Sequence, residues 1–147
     1  MIAVYVRISS HSQKPDSQKA EIAQWIKGQK LPAKRITWFE DKESGRSLKR
    51  PAFHKLQGAI FDGTVKTVIV WKLDRLARNH REGINVLADW CGKDVRVVSV
   101  TQQIDLQGTV GHVVAGVLFG LAQIELQHTK ERQAAGIKLA KKKGIYA

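Results

Sequence analysis

The sequence predicts an α/β fold: a mostly parallel central sheet flanked by helices, followed by one long C-terminal helix. Three observations carry the architecture. Near-continuous apolar runs at residues 2–8, 67–71 and 95–100 alternate with segments of helical periodicity, the pattern of strands buried on both faces of a sheet. No proline falls between Thr109 and Lys143. Within that stretch Val110, Val113, Val114, Val117, Leu118, Leu121 and Ile124 recur at helical spacing, as one continuous helix requires.

Each element follows from local composition. Residues 2–8 (Ile-Ala-Val-Tyr-Val-Arg-Ile) read as a buried strand, and Pro15-Asp16 opens a helix running to about Lys30 with Ile22 and Ile26 on its apolar side. Arg35–Phe39 reads as a second strand, and the charged segment Glu40–Arg50, with Ser44-Gly45, as a mobile loop. Pro51 suits the first position of a helix carrying Phe53, Leu56 and Ile60 and ending at Gly63. Thr67–Trp71 is the most β-prone run, Glu82–Trp90 is helical and Val95–Val100 is a further strand. Residues 1–108 therefore form an α/β core, and residues 109–147 a long helix and its end within the same domain. The apolar first half of that helix needs a sheet or a partner subunit. Its basic second half, with Lys130, Lys138, Lys141, Lys142 and Lys143, suits a phosphate backbone.

Composition narrows the partners. The 147 residues are 43% hydrophobic with four Trp and four Phe, which excludes a disordered chain. A formal charge of +12 and a pI near 10.1 point to a polyanion, with nucleic acid ahead of an acidic membrane surface. One cysteine, Cys91, precludes an internal disulfide framework and suits a reducing cytoplasm. Five scattered His and one Cys give no zinc spacing, so no metal and no cofactor is expected. No apolar run is expected to approach a membrane span, and no membrane partner is expected either.

Two segments carry chemistry. Arg7 and Ser9 lie two residues apart at a strand end, hence on one face. A guanidinium grips phosphate oxygens in bidentate fashion while a neighbouring hydroxyl attacks phosphorus. The segment from Trp71 to Asn79 places Asp74, Arg75 and Arg78 in the loop leaving the strongest strand. Arginine stays charged and is no ordinary base. Arg7, Arg50, Arg75 and Arg78 together therefore suit anion binding around Ser9, with Asp41 and Asp74 orienting them or Asp74 donating a proton to the leaving oxygen. No neighbour of Ser9 presents itself as the general base. Two other readings stay open on residues alone: a metal-dependent nuclease using Asp41, Asp74 and Glu125, and a non-enzymatic basic module for dimerisation or nucleic-acid binding.

The order and spacing of Tyr5-x-Arg7-x-Ser9, Asp41-x-x-Ser44-Gly45, Arg50-Pro51, Lys72–Arg78 and Glu131-Arg132-x-x-x-Gly136 resemble those of the serine site-specific recombinases, the resolvase/invertase family. Gln13 and Gln18 resemble the family's active-site glutamines, and Asp105-x-x-Gly108-x-x-Gly111 the opening of its long helix. The resemblance covers the whole catalytic domain. It implies a nucleophilic Ser9 that forms a 5′-phosphoserine link to double-stranded DNA, then strand exchange and re-ligation without cofactor. It also implies a homo-dimer and a synaptic homo-tetramer, and a DNA-associated place in the cytoplasm. Two departures stand out. Glu125-Leu126 replaces a Glu-Arg pair common at mid-helix, and the family's DNA-recognition domain is expected to be absent from this chain.

Overall fold

A computed structural model of the chain describes residues 1–9, 15–43, 49–77 and 80–142. The elements in order are β1 (Ile2–Ser9), α1 (Pro15–Gly28), β2 (Ile36–Glu43), α2 (Pro51–Phe61), β3 (Thr67–Val70), α3 (His80–Gly92), β4 (Arg96–Ser99), β5 (Ile104–Leu106) and α4 (Gly108–Lys142), with 3-10 turns at Ala33–Arg35 and Leu73–Leu76. The sheet order is β2-β1-β3-β4-β5. The first four strands are parallel and β5 runs antiparallel to β4. The fold class read from the sequence therefore holds.

Alternation along the strands builds two cores. Val4, Val6 and Ile8 of β1, with Ile69 and Val98, pack with Ile22 and Ile26 of α1. Ala3 and Tyr5, with Val68, Val70 and Val97, pack with Phe53, Leu56 and Ile60 of α2 and with Val86, Leu87 and Trp90 of α3. Period-two geometry puts Arg7 on the face of Tyr5, toward α2 and α3, and β1 ends two residues later at Ser9. Because α1 and α2 cover opposite faces, the strand order reverses between β1 and β3, and the crevice at their carboxyl ends is the natural ligand site.

Two expectations are corrected. β2 was expected to end at Phe39, with Glu40–Arg50 a loop; it continues through Asp41 to Glu43, in register with β1 as far as Ser9. Pairing with a central strand outweighs the poor β-propensity of Glu40, Asp41 and Lys42, while residues 44–48 of that expected loop lie outside the described residues. The short edge strand β5 was not expected at all. It is pinned across to β4 by Arg96, whose Nε and Nη2 donate to Asp105 Oδ1 and Oδ2 at 2.9 and 2.6 Å. The Arg96 guanidinium holds the Asp105 carboxyl below its ordinary range.

The helix α4 is 35 residues long, about 50 Å. It runs antiparallel to α3: Gly111 lies beside Cys91 near its start, and Arg81 Nη2 donates to Thr129 Oγ1 at 3.2 Å farther along. Its apolar residues divide between two faces. Ala115, Val114 and Leu118 pack inward, whereas Val110, Val113, Val117, Leu121 and Ile124 stand 46–61% exposed. The expectation that no apolar run approaches a membrane span is also corrected. By length and composition this helix qualifies, with an 18-residue window of mean hydropathy 1.5. Two separate apolar faces, inward and outward, raise that average.

Trp90 anchors the larger core. It is fully buried, its ring centre lies 6.0 Å from that of Phe53, and its Nε1 donates to Gln57 Oε1 at 2.7 Å. Trp90→Ala is expected to lower unfolding free energy by about 3–5 kcal/mol in urea titration.

Candidate active site

The crevice at the end of β1 is organised by a buried arginine. Arg50 precedes α2 as its N-cap residue and is 6% exposed. Its Nη1 donates to Glu82 Oε1 of α3 at 3.0 Å, its Nε and Nη2 each approach Tyr5 Oη at 3.3 Å, and its Nη2 donates to the carbonyl of Leu76. The guanidinium also lies over the Phe53 ring, 3.8 Å from the centroid. A guanidinium removed from water must have its donors met; here β1, α2, α3 and the 3-10 turn each supply part.

Asp41 completes the arrangement from β2. Tyr5 Oη donates to its Oδ2 at 2.9 Å, and the backbone N–H groups of Ala52 and Phe53 donate to Oδ1 and Oδ2, each at 2.9 Å. Asp41 therefore caps α2 from another element, where helix-end amides favour a carboxylate. Burial pushes the Tyr5 phenol up to about 12, against the opposing influence of the Arg50 guanidinium, with Asp41 adding to the rise.

The predicted site residues are brought together unevenly. Arg7 sits opposite Asp41 in the β1–β2 register and is half-buried. Ser9 is the last residue of β1, opposite Glu43. Asp74 and Arg75 occupy the 3-10 turn Leu73–Leu76, which follows β3, and Asp74 is exposed. For Ser9 and Arg75 the description is confined to the backbone, and Arg78 and Gln13 lie outside the described residues. Gln18 is buried on α1, its Oε1 without a hydrogen-bond partner among the described residues. Glu131 and Arg132 are exposed on the distal part of α4, lining a shallow groove with His128 and Ala135. Lys130 and Lys138 are exposed on the same segment. Lys141 and Lys142 end the helix, and Lys143 lies outside the described residues.

Asp41, expected to orient arginines, accepts hydrogen bonds from Tyr5 and the α2 amides and reaches Arg50 through the Tyr5 hydroxyl, and Glu82 is a carboxylate paired with Arg50. Glu82 was missed because its partner is 32 residues away. An acidic residue in a helix first turn has an ordinary local explanation.

A family model described as "Resolvase, N terminal domain" matches residues 2–146. The serine recombinase gin of Escherichia phage Mu is 31% identical over 144 residues, covering 98% of this chain and 69% of that protein. The transposon Tn3 resolvase of Escherichia coli is 33% identical over 141 residues, covering 96% and 72%. In structure, the chain resembles a resolvase family site-specific recombinase from Streptococcus pneumoniae at a TM-score of 0.72 and 24% identity, covering 95% of this chain and 97% of that one. The N-terminal catalytic domain of TP901-1 integrase gives 0.66 and 24%, covering 86% and 96%. These structural likenesses bear on the fold.

Two outcomes are expected from this geometry. Because the Tyr5 phenol is raised above its unfolded value of 10.0, its contribution to stability is fully present below that value and is lost as pH rises toward about 12. An ultraviolet titration should show a tyrosine ionising late, and Tyr5→Phe should remove that phase. Asp41→Ala strands two helix-end amides and a phenol, and should cost about 3 kcal/mol in denaturant unfolding.

Proposed function

Because the chain belongs to the resolvase family of serine recombinases, as a catalytic domain that breaks and rejoins DNA, we propose that Ser9 is its nucleophile. The observation that carries the assignment is the path of β1. Its backbone ends at Ser9, at the carboxyl end of the sheet beside the strand-order reversal, which supports reading Arg7 and Ser9 as residues of this crevice. In the step proposed, Ser9 Oγ bonds to phosphorus as the bond from phosphorus to the 3′ oxygen breaks. The products are a 5′-phosphoserine and a free 3′-hydroxyl. Attack by a 3′-hydroxyl on that linkage then rejoins the strands, so the phosphodiester energy is kept in the covalent intermediate.

Arg7, Arg75 and Arg78 offset charge on the phosphoryl oxygens as the transition state forms. Arg50, held by Tyr5, Glu82 and the Leu76 carbonyl, serves chiefly to set the floor of the crevice and the turn bearing Asp74 and Arg75. Asp41 supports it through Tyr5. Gln13 and Gln18 are assigned a supporting role to the nucleophile by family resemblance, and Glu131 and Arg132 act from α4. Family membership favours this reading over a metal-dependent nuclease or a non-enzymatic module.

Residues 1–108 then carry the chemistry and residues 109–147 the assembly. The partner is double-stranded DNA in the cytoplasm. The outward stripe of Val110, Val113, Val117, Leu121 and Ile124 suits burial against further copies of the chain, as a dimer and then a synaptic tetramer. Lys130, Lys138, Lys141, Lys142 and Lys143 lie along the phosphate backbone, giving binding that weakens steeply with salt.

Ser9→Ala should abolish the covalent protein–DNA adduct on a nicked suicide duplex in chelator, with an unchanged circular dichroism spectrum. A phosphoserine adduct recovered from the variant would overturn the assignment. Arg75→Ala or Arg78→Ala should slow adduct formation by about 10²–10³-fold, and wild-type speed in either would remove the arginine from the charge-offsetting set.

A further inference from the structure

The turn between β4 and β5 continues the sheet where β3 has ended. Val100 N–H donates to the Val70 carbonyl at 3.0 Å, and Thr101 N–H to the Trp71 carbonyl at 3.0 Å. Thr101 Oγ1 also donates to that Trp71 carbonyl. The next rung is made by a side chain: Leu73 N–H donates to Gln102 Oε1 at 3.0 Å. Leu73 opens the 3-10 turn that bears Asp74 and Arg75.

Gln102 is exposed, and three observations favour this pose for its side chain. A backbone N–H only donates, so the amide must present its oxygen to Leu73. The same oxygen receives the hydroxyl of Ser99 at 2.8 Å, and Ser99 is 1% exposed. A hydroxyl buried to that degree is costly without a partner, so it holds the Gln102 amide over the turn. The chain also accepts a left-handed backbone at Gln103, φ 53°, to close the segment. For a residue with a Cβ this conformation is disfavoured.

The far end of the 3-10 turn is held by Arg50, through the Leu76 carbonyl. Asp74 and Arg75 thus lie between two tethers, one from α2 and one from the β4–β5 turn. We infer that Gln102 is a positioning residue for DNA cleavage, setting the Asp74–Arg75 turn through the Leu73 amide. The inference rests on the proposed function of that turn and extends it to an element which carries no phosphate-binding group.

The test uses the full chain with Gln102→Leu, of similar size without an acceptor, and Gln102→Glu, which keeps one. Two quantities are read: hydrogen exchange at the Leu73 amide, and single-turnover adduct formation on the nicked suicide duplex. Gln102→Leu should speed Leu73 exchange and slow the adduct by up to about 100-fold, the scale expected for misplacing a reacting group by an ångström. The DNA concentration at half-saturation should stay unchanged, and the melting temperature should fall by only a few degrees, the cost of leaving the Ser99 hydroxyl without its acceptor. Gln102→Glu should restore both exchange and rate. Adduct at the parent rate from Gln102→Leu overturns the inference. So does a rate loss that disappears when the adduct is measured well below both melting temperatures, or that Gln102→Glu fails to repair. An unaltered chain forming no Ser9-dependent adduct overturns the proposed function as well, which separates the two failures.

Discussion

Much of this molecule depends on burying one guanidinium. Arg50 is 6% exposed, and each of its contacts obliges another element to be in place. Tyr5 must rise from β1, Phe53 must lie flat beneath it, the Leu76 carbonyl must turn inward and Glu82 must face back from α3. Removing one partner from such a group leaves a polar atom or a charge without compensation in a dry setting. The arrangement is therefore cooperative. Asp41 extends it by joining Tyr5 to the first turn of α2, so the residue before that helix and the helix itself are set by one carboxylate.

The same constraint explains the division of labour at the crevice. A guanidinium engaged by a carboxylate, a phenol, a carbonyl and an aromatic face is well suited to fix geometry. Arg7 stands two residues before the end of β1, and Arg75 belongs to the turn that Arg50 holds through the Leu76 carbonyl. Under the proposed function, a preorganised floor of this kind stabilises charge that appears transiently, because its groups need not reorganise when the reaction occurs.

Elements were legible in the sequence where local pattern and final environment agree. The runs of β1, β3 and β4 are apolar on both faces because both faces are covered, and α4 declares itself through length and period. The extension of β2 was illegible because Glu40 and Lys42 face outward around an inward Asp41, a charged pattern that resembles a loop until β1 is beside it. β5 has three residues, too few for any period, and owes its place to Arg96 and Asp105. At the site, residue types with one chemical use stood out, Ser9 and the arginines among them. Glu82 and Gln102 did not, since a helix-turn acid and a turn amide have ordinary local uses and their partners are 32 and 29 residues distant.

The path of α4 has a mechanical consequence. Its first half is seated along α3, but beyond Thr129, which meets Arg81, the residues through Leu139 are exposed. Since α3 begins at the carboxyl ends of the strands, this unsupported length departs from the crevice end of the molecule. Roughly a dozen residues of free helix make a rod of about 20 Å. Pivoted at its last seated turn, such a rod converts a tilt of about 10° into about 3 Å of travel at its tip, close to the rise between successive nucleotides along a DNA strand. A small change in how α4 rests on α3 would thereby be amplified at the tip of the helix.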